Sequence, residues 1–414
     1  MKNYDVIIIG GGAAGMCCAV SLKEIKPDCS VAVLEQLSRV GKKLIATGNG
    51  RCNITNRNID ISRYHSENPE FCRFALEKFS GLATENFFEK LGVVFTYDET
   101  GRAYPYSLQA SSVVDALRYA AFDRGIDTYT EAEVVAVEKK NGGYTIKTDG
   151  DVFFARTVVM AAGMLSGGKK TGSTGSVFSM LKKAGYKTVE PSPAIVQLRT
   201  ETAATRQLKG IKVNALAGLY NFGRPVRAEY GEVLFCDYGL SGPPILQISR
   251  ETGRRSGKYT VVLDLAVEYS NEEFYRMLLK RRETLGTHKA EEFFTGLLNK
   301  RVGQVIVKLC RIALNTEVSA MTDKDLKLLA NTVKSFEFAV TGNCGFENSQ
   351  VTAGGLSTDG FEAKTMMSKK DAGLFAVGEI LDVDGDCGGF NLQWAWSSAM
   401  CAAENIIGFL GENK

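Results

Sequence analysis

The run Tyr4-Asp5-Val6-Ile7-Ile8-Ile9-Gly10-Gly11-Gly12-Ala13-Ala14-Gly15, followed by a helical stretch and then Ser30-Val31-Ala32-Val33-Leu34-Glu35, constrains this chain more than any other part of it. Apolar residues ending at Gly10 suit a buried parallel strand, and Gly10, Gly12 and Gly15 form G-x-G-x-x-G where that strand turns into a helix. Gly10 permits the tight turn, Gly12 lets the backbone approach a pyrophosphate, and Gly15 lets helix and strand pack closely. Free N–H groups and the helix dipole then face the phosphates. The second strand ends on Glu35, whose carboxylate is placed to accept ribose hydroxyls, so an unphosphorylated ribose is expected. An isolated glycine motif would be weak. Here strand, glycines, helix, strand and terminal acid fall in order within one unit, although this unit alone does not separate FAD from NAD.

With 414 residues the chain exceeds one usual core, so two or three domains are expected. Its 44% apolar and 23% charged residues are those of a globular protein, and a net charge of +3 gives no general argument for nucleic acid or an anionic membrane. The N-terminus runs straight into the first strand, and no long apolar span is present; cytoplasmic residence is the expectation. None of the 10 cysteines forms C-x-x-C, which disfavours zinc ribbons and dithiol redox centres, and no metal site is expected. Cys17 and Cys18 read as small buried hydrophobes of the first helix. The 2 histidines, His65 and His288, lie far apart, so histidine-based catalysis is not expected.

After Glu35, the segment from Arg39 to Asn56 is dense in Gly, Asn, Thr and base and shows no helical or strand period. It reads as a cofactor-lining loop in which Lys42, Lys43 and Arg51 supply positive charge. Helices are expected around 69–79, 84–91 and 112–124, the last with Ser112 and Asp115 as a capping pair. Strands at 133–138, 144–147 and 152–154 form a meander, and 157–163 is a separate buried strand returning to the parallel sheet. From Pro191 short alternating segments (195–199, 217–220, 261–265) indicate a mostly β insertion, and from Asn271 to Leu329 the pattern is helical and charged. A last strand at 373–379 leads through Asp382-Val383-Asp384-Gly385-Asp386-Cys387-Gly388-Gly389-Phe390-Asn391-Leu392-Gln393 to an apolar helix over 394–410. A glycine-rich approach to a long helix is a second site able to stabilise negative charge on a flavin pyrimidine edge. Trp394 and Trp396 read as packing residues.

The stretches 47–53 (T-G-N-G-R-C-N), 238–243 (Y-G-L-S-G-P), 351–355 (V-T-A-G-G), 378–385 and 388–396 resemble, in this order, the BaiN/YhiN-like flavoproteins, also labelled aminoacetone-oxidase-family FAD-binding enzymes. The resemblance covers essentially the whole chain. It implies an α/β protein: a glutathione-reductase-type FAD-binding Rossmann domain split by an inserted β-rich domain and a small helical domain. The expected divisions are 1–190 and 341–414 for the FAD domain, 191–270 for the β insertion and 271–340 for the helical subdomain. It implies non-covalent FAD, with contacts at Gly10, Gly12, Ala13, Ala14, Gly15, Glu35, Gln36, Gly41, Lys42, Lys43, Thr47, Gly48, Asn49, Val134, Ala162, Gly163, Gly378, Glu379, Asp384, Gly389, Asn391, Leu392 and Gln393. The activity it implies is reduction of ring double bonds in 3-oxo-Δ4 and Δ6 bile-acid intermediates. The segment 163–185 also resembles fumarate-reductase-like and ketosteroid-dehydrogenase flavoproteins. Where many relatives carry T-G-D-G, this chain has Thr174-Gly175-Ser176-Val177, which puts contacts of that loop in question.

No second complete G-x-G-x-x-G unit is present, so electrons come from an NAD(P)H that docks transiently or from a redox partner protein. For ene reduction, hydride passes from reduced flavin N5 to the substrate β-carbon while an acid protonates the α-carbon. Tyr238, Tyr104 and Arg51 are the candidates for donor or carbonyl polariser. Two alternatives stay open: an oxidase of small amines, and a flavoprotein that binds RNA, whose footprint would be Lys280-Arg281-Arg282. A small-molecule substrate is the expectation, with no nucleic acid or membrane partner; the oligomeric state is not legible.

Overall fold

The computed structural model describes residues 1–254 and 256–412. It divides into two units, Met1–Pro193 together with the chain from Phe346 onward, and Ala194–Gly345.

In the first unit the described residues form a seven-stranded sheet. Lys2–Ile9 lies in parallel between Val31–Leu34 and Val152–Met160, and Asp127–Tyr129 extends the sheet beyond Val31–Leu34. Val6, Ile7 and Ile8 are wholly buried, as a strand covered on both faces requires. Helix Ala13–Ile25, apolar almost all round, buries Met16, Cys17, Cys18, Ala19, Val20 and Leu22 and packs against the long helix Phe390–Glu412. That long helix starts earlier than its apolar pattern indicates. Trp394 and Trp396 sit in the core, their indole N–H groups donating to Gly378 O at 3.1 Å and Ile54 O at 2.9 Å.

Two local expectations are corrected. The segments 152–154 and 157–163 are one strand, Val152–Met160. Its first half pairs antiparallel with Gly143–Thr148, and its second half pairs in parallel with Leu374–Ala376. Burial alternates in the first half and is continuous in the second, so one strand carries two sequence textures. Ser112 is not a helix cap. The helix begins at Ala110 after an extended Gln109, while Ser112 Oγ bonds Ser107 Oγ and Asp115 pairs with Arg118. Burial of Ala110 beside Val113, Val114 and Leu117 draws the extra turn in.

In the second unit a closed barrel runs in the order Leu198–Thr200, Gly239–Ser241, Arg224–Cys236, Lys212–Asn221, Tyr259–Asp264 and Phe336–Asn343, the last returning to Leu198–Thr200. Tyr259, Val261 and Leu263 alternate inward against Phe235, Phe336 and Phe338. The first strand starts at Leu198 rather than Ile195, whose φ is 51°. Phe336–Asn343, in sequence the end of the helical part, is a barrel strand paired on both edges. The helices Asn271–Thr284, Lys300–Leu309 and Asp323–Lys334 are therefore an excursion between two barrel strands. Their Phe274, Leu278, Ile306 and Leu329 share one apolar cluster with the barrel interior. Among the described residues no helix is long and apolar enough to cross a membrane.

Candidate functional site

The first strand delivers the chain to Gly10, whose φ is 108°, and Gly12 caps helix Ala13–Ile25 without any side-chain bond. A Cβ on Gly10 would lie 2.6 Å from Ala161 O, and one on Gly15 would lie 1.9 Å from Gly10 O. Packing therefore forbids side chains at both. A Cβ on Gly12 would meet nothing within 4 Å, so packing does not require that glycine; its bareness leaves the helix N-terminus approachable. These features fit the diphosphate of a dinucleotide. Ala13 and Ala14 supply the first turn of that helix. Gly41, at φ 72°, donates its N–H to Gly11 O at 2.8 Å and closes the next loop onto the glycines.

Glu35 braces the same turn. Its two oxygens accept the N–H of Gly11 and of Leu37, each at 2.9 Å. Burial raises its pKa and those N–H bonds oppose the rise. Each oxygen keeps a further accepting direction of the kind a ribose hydroxyl uses. Gln36 reaches across to donate to Gly172 O.

The loop from Arg39 is more ordered than its composition suggests. Lys42–Ile45 is a helical turn and Thr47–Gly50 a 3-10 turn, with Thr47 Oγ1 donating to Leu44 O at 2.6 Å. Gly48 and Asn49 are left-handed at φ 56° and 54°, and Cys52 at 58°. Non-glycine residues in that region carry strain, and a chain that alternates handedness turns successive N–H groups toward one concavity. Lys43 is ion-paired with Glu379 at 2.5 Å, and the other Glu379 oxygen accepts the Thr352 N–H at 2.8 Å. The charge expected from Lys43 is thus locally balanced. A Cβ on Gly163 would stand 3.5 Å from that carboxylate, which links the ends of two parallel strands through Lys43, Glu379 and Gly163. Ala162 precedes it, half-buried, and Val134 is buried at the start of strand Val134–Lys140.

Of the three candidate catalytic side chains the structure brings two together: the Arg51 guanidinium lies 5.1 Å from the centre of the Tyr104 ring. Tyr104 is buried in strand Arg102–Pro105, and Arg51 is exposed. Tyr238 belongs to the barrel unit, in the turn between Arg224–Cys236 and Gly239–Ser241. Burial first, then hydrogen bonding with Cys236, holds its phenol well above the ordinary value, so it stays protonated as an O–H donor.

Near the long helix, Gly388 and Gly389 have φ of 133° and 98°, and a Cβ on Gly389 would lie 2.6 Å from Thr55 O. Gly378, at φ 70°, takes its N–H to Ser398 Oγ at 2.9 Å. Two residues expected at the cofactor have side chains bonded within the protein. Gln393 is fully buried, donating to Phe79 O and Ser397 Oγ and accepting from Thr55, so its amide fastens the helix. Asn391 closes on Gly385, accepting its N–H at 2.8 Å and donating to its carbonyl at 2.7 Å. Asp384 is buried opposite His65, and Leu392 is half-buried. Asn53, which sequence reasoning passed over, has its Oδ1 buried without a hydrogen-bond partner, close against Gly389. A buried acceptor in that condition is costly unless a bound group supplies a donor. It lay in the T-G-N-G-R-C-N run, but its meeting with Gly389 depends on residues more than three hundred positions apart.

The profile of the HI0933-like protein Rossmann domain matches residues 4–405. The chain belongs to that family. It is 35% identical over 95% of its length to the 3-dehydro-bile acid delta(4,6)-reductase of Clostridium scindens, covering 97% of that protein. It is 28% identical over 98% of its length to the ribosomal RNA dihydrouridine synthase of Escherichia coli, covering 99% of it. Among solved structures, the E. coli quinol fumarate reductase FrdA superposes with a TM-score of 0.52 at 16% identity, over 99% of this chain and 71% of that one. A 3-ketosteroid delta1-dehydrogenase from Sterolibacterium denitrificans superposes at 0.50 and 13% identity, over 99% of this chain and 100% of the other. These structures establish the shared fold. The HI0933-like chain is an oxidoreductase of the flavin type, built on a Rossmann-type nucleotide domain with an additional barrel.

Proposed function

We propose that this enzyme reduces a carbon–carbon double bond conjugated to a carbonyl, in a 3-oxo-Δ4 or Δ6 steroid of the bile-acid kind, using non-covalent FAD. The observation that carries the reading is the 35% identity, nearly end to end on both chains, to a bile-acid delta(4,6)-reductase. Gly10, Gly12 and Gly15 would hold the diphosphate, Glu35 the ribose, and the Gly388–Gly389 approach to the long helix would stabilise negative charge on the flavin. When bound and reduced, the flavin supplies a hydride from N5. The chain contributes position, charge and a proton. Tyr238 Oη is the proposed donor of the proton to the α-carbon, and Arg51, seated on the Tyr104 ring, the proposed polariser of the carbonyl. The reducing equivalents would come from a transiently docked NAD(P)H or from a redox partner.

A second reading has its own support in the 28% match to a ribosomal RNA dihydrouridine synthase. The C5=C6 bond of uracil is also conjugated to a carbonyl, so the same hydride and proton delivery applies. The basic run expected as an RNA footprint does not favour it. Arg281 donates to Phe293 O and Thr295 O, and Arg282 bonds Met321 O and pairs with Asp323, so both guanidinium groups fasten helix Asn271–Thr284 to neighbouring loops.

The test is anaerobic. Photoreduced enzyme is mixed separately with a conjugated 3-oxosteroid, uridine-containing ribosomal RNA, aminoacetone and air-saturated buffer, and the oxidised flavin spectrum is followed. The steroid should restore it faster than oxygen, and Tyr238→Phe should slow that step at least 10-fold with little change in KM or flavin content. Reoxidation by RNA alone, with uracil gaining two hydrogens, would establish the second reading. Fast reoxidation by air, with aminoacetone reducing the flavin again, would leave an amine oxidase.

A further inference from the structure

Outside the nucleotide cradle, the barrel carries a polar depression lined by Arg199, Thr200, Thr202, Arg206, Asp237, Tyr238 and Thr341. Its construction is specific. Leu198 and Thr200 point into the barrel and are buried, which turns Arg199 outward. Opposite it, Arg199 pairs with Gly342 but Thr200 pairs with Val340, so Thr341 is the extra residue of a bulge. A bulge re-aims a side chain, and here it brings the Thr341 hydroxyl to the face that Arg199 occupies. The helical turn Ala203–Gln207 follows at once and adds Arg206, its N–H bonded to Thr202 O at 3.1 Å. On the third side Tyr238 is tied in through its carbonyl, which accepts the Thr200 N–H at 3.1 Å.

The charge is unbalanced in one direction. Asp237 is paired with Lys209 at 2.6 Å, which neutralises that carboxylate. Among the described residues neither Arg199 nor Arg206 takes part in an ion pair, and both are exposed. Two planar donors outside any ion pair, with Thr202 and Thr341 in the same lining, are the groups a tetrahedral oxyanion uses: it accepts bidentate bonds from arginine and single bonds from hydroxyls.

From this geometry we infer that the barrel depression binds a phosphate ester of a ribonucleotide, gripped by Arg199 and Arg206. Two sources share that chemistry: the backbone of an RNA strand, and the ribose phosphate of an NADPH that serves as hydride donor. The depression shares Tyr238 with the proposed proton donor, so the grip is assigned to Arg199 and Arg206 alone; phosphate binding and flavin reoxidation are measured separately, which keeps a failure of this inference distinct from a failure of the steroid reading.

The experiment uses the full-length, FAD-loaded enzyme and the double variant Arg199→Gln with Arg206→Gln, with Arg199→Lys and Arg206→Lys as the charge-retaining control. Flavin content and circular dichroism verify that each is folded. The probes are a fluorescent 12-nucleotide oligouridylate, by anisotropy at several salt concentrations, and NADPH against NADH in anaerobic flavin reduction. If RNA is the source, the glutamine variant should bind the oligonucleotide at least 10-fold more weakly, and its log-affinity against log-salt slope should fall by about 0.7 for each phosphate that the variant no longer neutralises. If NADPH is the source, the wild type should show a lower KM for NADPH than for NADH, and the glutamine variant should lose at least 10-fold of that preference. The lysine pair should recover part of either effect. If the glutamine variant keeps its flavin and neither oligonucleotide affinity nor the NADPH-to-NADH preference changes, the inference is overturned.

Discussion

The nucleotide cradle is built around glycines and the barrel depression around arginines, and they are assembled in opposite ways. The cradle is nearly local. Gly10, Gly12 and Gly15 act within two turns of backbone, and Glu35 reaches them along the adjacent parallel strand at 2.9 Å. The depression has no local counterpart. Arg199 and Thr341 come from two strands far apart in sequence and Tyr238 from a turn, and they meet because a barrel closes and a bulge displaces one residue. A site made from consecutive backbone can be read as a motif, whereas one made from closure can only be seen folded.

The largest effects should come from glycines, and they test whether the two regions are separable. Gly15→Ala places a Cβ 1.9 Å from Gly10 O, and Gly239→Ala places one 2.2 Å from Leu198 O, both backbone oxygens that cannot step aside. The first should yield protein without flavin. The second, at φ 150°, should disrupt the barrel corner while the flavin is retained. Absorbance at 450 nm per mole of protein measures both, and flavin lost equally in the two variants would break the comparison. Gly12→Asp sharpens it. Its side chain has room, so thermal stability should stay near wild type while flavin binding is abolished by the carboxylate at the diphosphate position.

Core truncations should follow. Phe235 lies in the barrel cluster and Trp396 in the cluster under the Rossmann sheet, each wholly buried. Replacing either by alanine should cost about 3–5 kcal/mol. In differential scanning calorimetry, Phe235→Ala should lower a transition that added FAD does not shift, and Trp396→Ala one that FAD raises. A single transition moved alike by both would show that the two cores melt as one.

The smallest effects concern pH and have opposite signs in the two regions. Burial raises the Glu35 pKa, so the folded state holds that proton more tightly; stability is greatest below the unfolded carboxylate value and declines as pH rises through the folded one. Asp237 is exposed and lowered by its bond to Lys209; its contribution is present above the unfolded value and lost as pH falls through the folded one. In urea titrations of flavin-free protein between pH 3 and pH 7, Glu35→Gln should make the pH dependence steeper upward. Asp237→Asn should flatten it slightly.

Much of the first unit was legible because its signals are short-range. Strand, glycines, helix and Glu35 are fixed by backbone sterics and by burial on two faces, and each is visible as a residue type at a spacing. The alternating insertion and its charged helices were visible for the same reason. Where the reading went astray, tertiary burial had changed the texture of one element. Val152–Met160 looks like two strands because its halves have different neighbours, and Phe336–Asn343 was assigned with the helices because nothing local marks it as the closing strand. The site divides along the same line. Sequence alone located the glycine turn at Gly10–Gly15 and the expectation of a dinucleotide there, since Gly10 and Gly15 leave no room for a side chain. Tertiary structure decided that Lys43 is spent on Glu379, that Gln393 and Asn391 act as fasteners, that Asn53 keeps an unpaired acceptor beside Gly389, and that Arg199 and Arg206 line one depression. Those outcomes rest on which partner a polar group finds across a closed sheet or barrel, a choice that no interval along the chain encodes.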